Sequence, residues 1–396
     1  MSRRILCVNV LAAVVLTTGL DSFGADVSGA IKTIRAVDNE GKGNKEALTA
    51  WRELSQAEVA DLPKILAGFD GANPLAMNYL RSAVETIVDR STAAGGKLPA
   101  TELEKFLFDT KHDPKARRLT FELLAKVDPQ APDRIIPKMI NDPSVELRRD
   151  AVARLIEAGK KLLAAEKPTD EQSQAARQVF AQALDGARDD DQVQEIKKQL
   201  EGLGQSVDLP SHFGFLLGWK LVAPFDNTDK KGLNIAYPPE KQLDLKATYQ
   251  GKEDKEIQWV EHTTTDEYGI VDLAKVLSPF KGAVAYAVTE FQSPTELPVE
   301  FRLGTPNSWK VWLNGDLLFG REEYHRGMTI DQYRMKGTLK AGKNTILIKV
   351  CQNEQTEEWA QRWAFQLRVC DATGTAILSA DRTKKTAKPG QSTGSD

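Results

Sequence analysis

Cysteine, histidine and surplus basic charge are all scarce in this sequence of 396 residues. There are three cysteines and four histidines, and the histidines stand singly, far from one another and from any cysteine. Because closed zinc sites use several such ligands at short spacings, a zinc site is not expected. Acidic residues number 56 and basic residues 53. Without a basic excess, the chain lacks the electrostatic signature of a nucleic-acid-binding protein.

Long apolar runs are also missing, except at the start of the chain. Arg3-Arg4 precedes an apolar run over residues 5–20, and small residues follow around Gly24. This order is typical of a cleaved secretory signal peptide. The run is short for a membrane-spanning helix and contains Asn9. We therefore expect residues 1–25 to be removed and the mature chain to be secreted or periplasmic, without a membrane span.

Removal of the signal peptide would leave Cys351 and Cys370. An exported protein with two cysteines is a candidate for a disulfide. However, if residues 346–351 and 363–370 pair as a hairpin, the two cysteines lie about seven residues apart along the ladder, at roughly 3.3 Å each, beyond disulfide reach. The sequence therefore predicts buried free thiols. In the alternative, a jelly roll sends the two strands to different sheets, which weakens this argument.

The first half of the chain is predicted to be helical. Three helix starts share a capping side chain followed by proline, the residue favoured at the first helical position. They are Asn73-Pro74, Asp113-Pro114 and Asp142-Pro143. Amphipathic patterns follow, and the last two helices are predicted over 171–184 and 190–203.

Beyond Pro210 the apolar period changes to two, which indicates strands. Trp309, Val311 and Leu313 share one face, and Asn314-Gly315 is a strong hairpin signal. Other predicted strands are Lys220–Ala223, Ile257–Val260, Ala283–Phe291, Val299–Leu303, Ile346–Val350 and Trp363–Cys370.

These patterns predict a multidomain α + β protein with an N-terminal helical array and a C-terminal antiparallel β-sandwich. The expected parts are a helical domain over 26–205, a linker over 206–211, a sandwich over 212–380 and a polar, disordered tail over 381–396.

Asp142-Pro143 is followed by Arg148, Ala151 and Leu155, and a similar Asp-Pro stands at Asp113-Pro114. This pattern resembles the second helix of a HEAT repeat. The resemblance implies that the Asp and Arg orient the repeat and that the apolar residues stack on neighbouring repeats. An irregular helical bundle is the alternative.

In the second half, the segments 311–315, 339–344 and 363–368 carry turns and aliphatic or aromatic strands. They resemble the galactose-binding-like jelly roll, similar to the sugar-binding domain of family 2 glycoside hydrolases. Because these residues build turns and core, the resemblance implies a fold and not an activity.

Three short segments resemble metal-binding or catalytic motifs. Asp226 and Asp229 are candidate ligands for a structural calcium ion, which galactose-binding-like domains sometimes carry, although an ordinary turn explains them. Asp189-Asp190-Asp191 is explained by helix capping. Gly390–Gly394 matches the nucleophile-elbow pattern but lies in the polar tail, outside the strand–helix context that the motif needs. No cofactor is therefore expected.

One loop, predicted over 320–337, is rich in planar and charged side chains. Arg321, Tyr324, His325 and Arg334 are candidates for hydrogen bonds to sugar hydroxyls or to an acidic partner. The alternative is a solvated crossover between strands, held by internal ion pairs.

A second loop over 352–362 carries Trp359 and is followed by Trp363. Exposed tryptophan faces are surfaces on which sugar rings stack. Since Trp363 alternates with Phe365, it is predicted to lie in the core. Trp359 is the candidate carbohydrate-binding tryptophan.

The expected function is binding without catalysis. We hypothesise that the sandwich binds carbohydrate and that the helical domain binds a protein partner. The first alternative is a purely structural protein–protein scaffold of the cell envelope. The second is a role with glycoside hydrolases, as an accessory subunit or as an enzyme. An enzyme is disfavoured because family 2 members keep their catalytic carboxylates in a separate barrel, which needs about 250 further residues.

Overall fold

A computed structural model describes residues 26–382 of the chain. The chain divides into two compact units, Met1–Ile135 and Ile136–Asp396. Helices make up the first unit, while helices followed by antiparallel sheets make up the second, so the protein has a multidomain α + β architecture. The predicted signal peptide, the nucleophile-elbow match and nearly all of the predicted tail lie outside the described residues. The linker at 206–211 stays a prediction as a boundary between separately folding domains.

The first unit consists of short and medium helices. They are α1 Val27–Arg35, α2 Asn44–Leu54, α3 Leu62–Ala67, α4 Pro74–Ala93, α5 Ala100–Phe108, α6 Pro114–Val127 and α7 Ala131–Ile135. Two predicted starts are confirmed: Asn73 accepts a hydrogen bond from the Ala76 backbone N–H, and Asp113 accepts one from that of Lys115. In both helices proline follows the cap, where its missing N–H costs no hydrogen bond.

The helices of the second unit come next. They are α8 Val145–Leu162, α9 Asp170–Gly186, α10 Asp190–Gly202 and α11 Leu209–Phe213. The start predicted at Pro143 is wrong, because α8 begins at Val145 after Ser144. The Asp142 carboxylate accepts a hydrogen bond from the Ser144 backbone N–H, which closes a tight turn ahead of the helix.

Helices α8–α10 share a core with the chain that enters the sheets. Phe180, Ile196 and Leu200 belong to the same buried cluster as Phe213 and Phe215. A loop of the sandwich reaches α10 as well, since the Tyr268 hydroxyl donates to Asp190 Oδ1 at 2.6 Å. The helices from α8 onward are therefore part of the same compact unit as the sheets.

Two larger antiparallel sheets and a small hairpin follow. The strands are β1 Gly218–Asp226, β2 Thr248–Gln250, β3 Glu256–Gln258, β4 Val260–Thr263, β5 Val271–Asp272, β6 Ala283–Ser293, β7 Leu297–Gly304, β8 Ser308–Leu313, β9 Asp316–Arg321, β10 Tyr333–Leu339, β11 Gly342–Gln352 and β12 Ala364–Cys370, with short helices α12 Pro238–Lys241 and α13 Leu273–Val276. One sheet has the order β4-β1-β6-β11-β8-β9, the other β10-β7-β12-β5, and β2 pairs with β3.

The sandwich core lies between the two larger sheets and confirms the predicted alternation. Trp309, Val311 and Leu313 point inward from one sheet, and Phe301 and Phe365 belong to the same cluster from the other. The Asn314-Gly315 turn connects β8 and β9, and both residues have positive φ, +53° and +91°. Small polar turn residues tolerate this region, which explains the strength of the hairpin signal.

The predicted pairing of the two cysteine-bearing strands is wrong. β11 pairs with β6 and β8, whereas β12 pairs with β7 and β5, so the strands belong to different sheets. Cys351 and Cys370 are nevertheless both buried and free, as predicted. The prediction of buried free thiols is therefore correct, although the strand pairing used to argue for it is wrong.

The predicted loop at 320–337 is also shorter than expected. Its two ends belong to β9 and β10, and β10 pairs with β7 along its whole length. β10 buries only Met335 and Leu339, so its alternation of apolar and polar residues gives a weak strand signal. Likewise, the strand predicted over 257–260 is divided at Trp259 into β3 and β4.

A second, smaller core covers part of the outer face of the six-stranded sheet. Val222, Phe225, Tyr286 and Leu347 on the sheet pack against Leu233 and neighbouring residues of the 227–258 segment. The rest of this outer face lies open at the β4 side of the sheet.

Candidate functional site

The two loops that carry the predicted binding residues meet at one pair of rings. The centroid of the Trp359 indole lies 5.0 Å from that of the His325 imidazole, in an edge-to-face arrangement with an interplanar angle of 87°. Trp359 is 62% exposed, the largest exposed fraction among the exposed large hydrophobic residues of the described chain. Trp363, in contrast, is 1% exposed and lies in the core, as its alternation predicts.

Local hydrogen bonds hold both rings in place. Trp359 lies on the short 3₁₀ turn Glu358–Ala360, and the Gln352 side-chain amide donates to the Ala360 carbonyl at 3.0 Å. His325 has φ +58°, and its Nε2 lies 3.1 Å from the Asn353 side-chain oxygen. Because Asn353 Oδ1 accepts this bond, the imidazole donates from Nε2 and leaves Nδ1 as an acceptor.

Tyr324 lies beside His325 but is half-buried. Its hydroxyl accepts a hydrogen bond from the Asn227 side-chain amide at 3.2 Å, and Lys230 Nζ lies 5.5 Å from the ring centroid. Burial raises the pKa of Tyr324 to about 12, so the phenol stays protonated at neutral pH. Asn227 and Lys230 were not predicted as site residues, because their contacts with Tyr324 cross about 95 residues of sequence.

Arg321 and Arg334 make their contacts elsewhere. The Arg321 guanidinium lies 5.9 Å from the centroid of the Tyr333 ring and 3.6 Å from the carboxylate of Glu323. Arg334 on β10 is exposed and lies 3.9 Å from Asp331. The structure therefore brings together Trp359, His325 and Tyr324, while the partners of the two arginines are Tyr333, Glu323 and Asp331.

Asp331 fastens the loop to the sandwich. Its carboxylate accepts hydrogen bonds from Arg302 at 2.6 Å and from Arg368 at 2.6 and 2.7 Å, and both arginines are buried. Although burial acts in the opposite direction, these bonds hold the pKa of Asp331 below its usual value. The internal ion pairs of the crossover alternative are thus present, and they position the chain that carries His325.

The candidate calcium ligands are engaged by other groups. Asp226 Oδ1 accepts from the Thr228 hydroxyl at 2.6 Å and lies 3.3 Å from Lys252 Nζ, while Asp229 pairs with Lys231 at 2.9 Å. Within residues 26–382, no group of three His, Cys, Asp or Glu side chains is arranged to hold a metal ion.

The acidic triplet at the start of α10 also has partners in the protein. Asp191 pairs with Arg149, Asp190 accepts from Tyr268, and Asp189 stands at the N-cap position without a side-chain capping bond. The capping explanation therefore holds for the position of Asp189 but not for its side chain.

No described helix is long and apolar enough to cross a bilayer. This observation covers residues 26–382 only.

Comparisons with known proteins identify no family for the chain. No protein-family model matches it, and no curated protein does. Among solved structures, it is similar to a β-glucuronidase from Ruminococcus gnavus in complex with D-glucaro-1,5-lactone, with 12% identity, a TM-score of 0.25 and coverage of 39% of this chain and 28% of that one. A β-glucosidase from Kluyveromyces marxianus in complex with glucose matches with 12% identity, a TM-score of 0.26 and coverage of 74% and 36%.

The chain thus spans about a third or less of these two neighbours. At such identities and TM-scores, the likeness establishes neither a shared fold nor a shared activity.

Proposed function

We propose that this is an exported, non-catalytic binding protein whose β-sandwich holds a carbohydrate against Trp359 and whose helical part engages a protein partner. In this proposal the sandwich is a galactose-binding-like jelly roll and the helices form a HEAT-like array. Arrays of helical hairpins offer extended surfaces that suit protein partners.

The observation that carries the proposal is the exposure of Trp359. Its indole is solvent-exposed, yet it forms an edge-to-face pair with His325, and the carbonyl of the next residue, Ala360, accepts a hydrogen bond from Gln352. A rigid, exposed aromatic face supplies contact area at little entropic cost. His325, whose ring centroid lies 5.0 Å from that of the indole, offers Nδ1 to a hydroxyl group of a stacked sugar.

The test is a glycan array and a pull-down on insoluble polysaccharides with the whole chain. Isolated sites of this kind bind weakly, so dissociation constants of about 0.1–1 mM, roughly −4 to −5.5 kcal/mol, are expected. By analogy with base–aromatic stacking, Trp359→Ala should cost about 1–2 kcal/mol and remove most of the signal. Phe319→Ala is the matched control, since Phe319 is another half-exposed aromatic residue, on the edge strand β9. Glycan binding that persists in Trp359→Ala would contradict the proposed site.

A second candidate function is protein scaffolding, and the edge strand β9 favours it. Leu317 and Phe319 are 53% and 52% exposed there. Exposed apolar side chains on a sheet edge are typical of protein contacts. Two results together would favour this function. The chain would bind no glycan, and it would bind a protein partner that Phe319→Ser loses and Trp359→Ala keeps.

A further inference from the structure

The outer face of the six-stranded sheet carries a cavity of about 300 Å³, which lies between the sheet and Leu243 and Leu245. We call this cavity the cross-strand groove.

The groove follows a row of residues across four adjacent strands. Gly218 on β1 pairs with Thr263 on β4, and Glu290 on β6 pairs with Thr345 on β11. Gly218 and Glu290 continue the register in which Lys220 faces Val288. Because neighbouring strands are about 4.8 Å apart, the row spans about 14 Å perpendicular to the strands.

Gly218 has no side chain and so leaves space at the bottom of the groove. A Cβ atom placed on it would meet only the Thr263 hydroxyl, at 4.0 Å, and its backbone is not in the left-handed region. The protein itself therefore tolerates a side chain there, and that side chain would project into the groove. Position 218 offers a way to fill the groove without disturbing the core.

The groove presents polar groups that have no partner in the protein. Thr263 and Thr345 project from the same face of the sheet as Gly218, and within the described residues their side chains make no hydrogen bond. Hydroxyls both donate and accept hydrogen bonds. A ligand that presents many hydroxyl groups matches such a lining.

The charged groups of the lining restrict the ligand further. Lys220 pairs with Glu261 at 2.7 Å, and Glu290 pairs with Lys343 at 2.5 Å. These pairs leave no lone charge in the lining of the groove, which disfavours polyanions such as nucleic acids and acidic polysaccharides.

We propose that the cross-strand groove binds a neutral oligosaccharide chain, as a second contact in addition to Trp359. Sugar hydroxyls would bond to Thr263 and Thr345, and the C–H faces of the rings would contact Leu243 and Leu245. An extended peptide fits less well, because a chain lying across the strands cannot continue the hydrogen-bond ladder of the sheet. This inference rests on the proposed carbohydrate-binding function.

The two contacts can be tested separately. Trp359 follows the end of β11 and Thr345 lies near its beginning, with seven residues from Thr345 to Gln352, or about 23 Å of strand. A substitution at one site therefore leaves the other in place.

The experiment is isothermal titration of the whole chain with neutral hexasaccharides of glucose, xylose, mannose and galactose. Gly218→Trp should weaken binding at least roughly ten-fold, because the indole occupies the groove. Gly202→Trp is the matched control: Gly202 ends α10, and a Cβ atom there would meet nothing within 4 Å. It should bind like the unmodified chain. If Gly218→Trp does not give the same circular dichroism spectrum, the double variant Thr263→Val, Thr345→Val replaces it.

Each outcome decides between the sites. Binding lost in Gly218→Trp and kept in Gly202→Trp supports the groove. Binding kept in Gly218→Trp but lost in Trp359→Ala overturns the groove and leaves the function proposed for Trp359 intact. Failure to bind any neutral hexasaccharide also overturns the groove, whereas the pull-down on insoluble polysaccharides tests Trp359 on its own. Binding of a lysine-rich peptide that Gly218→Trp abolishes would replace the sugar by a basic segment.

Discussion

At the scale of single residues, His212 couples the stability of the second unit to pH. Its Nε2 lies 3.1 Å from the Ala187 carbonyl, and the ring packs edge-on against Phe213. Burial, assisted by the nearby Arg188 guanidinium, lowers the pKa of His212 to about 4 from an ordinary value of 6.5. The folded state therefore holds this imidazole neutral where an unfolded chain would protonate it.

This difference predicts a loss of stability in mild acid. Between pH 6.5 and 4 the unfolded state binds more protons than the folded state, so the free energy of unfolding falls as pH is lowered, by up to about 3 kcal/mol. Urea unfolding at pH 7, 5.5 and 4.5 measures this effect. His212→Gln should weaken the dependence of the free energy of unfolding on pH in this range. Asp331 and Asp371 do not replace His212 there, because their pKa values are lowered and they affect stability at more acid pH. If the variant shows the same slope of the free energy of unfolding against pH as the unmodified chain, His212 is not the group responsible.

Cysteine reactivity gives a second prediction at this scale. Burial raises the pKa of Cys351 to about 12 and also raises that of Cys370. Because the thiolate is the reactive form, the folded protein should react slowly with a thiol reagent. A chain without residues 1–25 should react with two equivalents of the thiol reagent when it is denatured, whether or not a reductant is present. If no thiol reacts in the denatured chain without reductant, the two cysteines are joined in a disulfide.

At the scale of elements, the buried Lys349 ties the 227–258 segment to β11. Its ammonium donates to the Leu233 and Ile235 carbonyls at 3.1 and 2.8 Å and to Glu240 Oε1 at 2.7 Å. The Tyr286 hydroxyl donates to the same carboxylate oxygen. Although burial lowers the pKa of Lys349, these three acceptors satisfy all three of its donors.

Breaking this group should destabilise the protein strongly. Lys349→Ala leaves Glu240 buried without its cation and should lower the free energy of unfolding by about 3–5 kcal/mol. Lys231→Ala, which removes a fully exposed pair with Asp229, should leave it almost unchanged. The double variant Lys349→Met, Glu240→Gln should lose less than Lys349→Ala. Urea unfolding at pH 7 gives all three values, and equal losses for Lys349→Ala and Lys231→Ala would contradict the role of the buried pair.

Elements with strong local signals were predicted well from the sequence. The caps at Asn73 and Asp113, the Asn314-Gly315 turn and the inward face of β8 depend on a few adjacent residues. In contrast, β9 was missed because its apolar residues Leu317, Leu318 and Phe319 are consecutive and do not alternate. β10 was missed because it pairs with β7, which is not its neighbour in the chain. The burial of Lys349 also depends on residues elsewhere in the chain, whereas the alternation of β11 alone would place this lysine in a solvated row.

The candidate site divides in the same way. Local reasoning separated the exposed Trp359 from the buried Trp363 and placed His325 in a loop rich in donors. It did not separate Arg321 and Arg334 from that group, nor identify Asn353 and Asn227 as the partners of His325 and Tyr324. The cross-strand groove was beyond prediction, since its row of residues comes from four strands that meet only in the folded sheet.

At the scale of the whole molecule, the sequence pattern and the contacts in the structure place the boundary between the two folding units at different residues. The change of pattern near Gly204 predicts that residues 26–205 fold without the sandwich. In the structure, however, Phe213 and Phe215 complete the core of α8–α10, and Tyr268 packs near both rings, with centroids 6.2 Å apart in each case. The compact units divide between Ile135 and Ile136 instead.

Two pairs of fragments distinguish these divisions. Division at 135/136 should give fragments 26–135 and 136–382 that each show a cooperative thermal transition by circular dichroism. Division at 205/206 separates Phe213, Phe215 and Tyr268 from the α8–α10 cluster and exposes apolar surface on both fragments. We therefore expect 206–382 to unfold at a temperature more than about 5 °C below that of 136–382, since about 2–4 °C is lost per kcal/mol in units of this size. If 206–382 instead proves as stable as 136–382, the helices α8–α10 add nothing to the sandwich, and the boundary predicted from the sequence is the correct one.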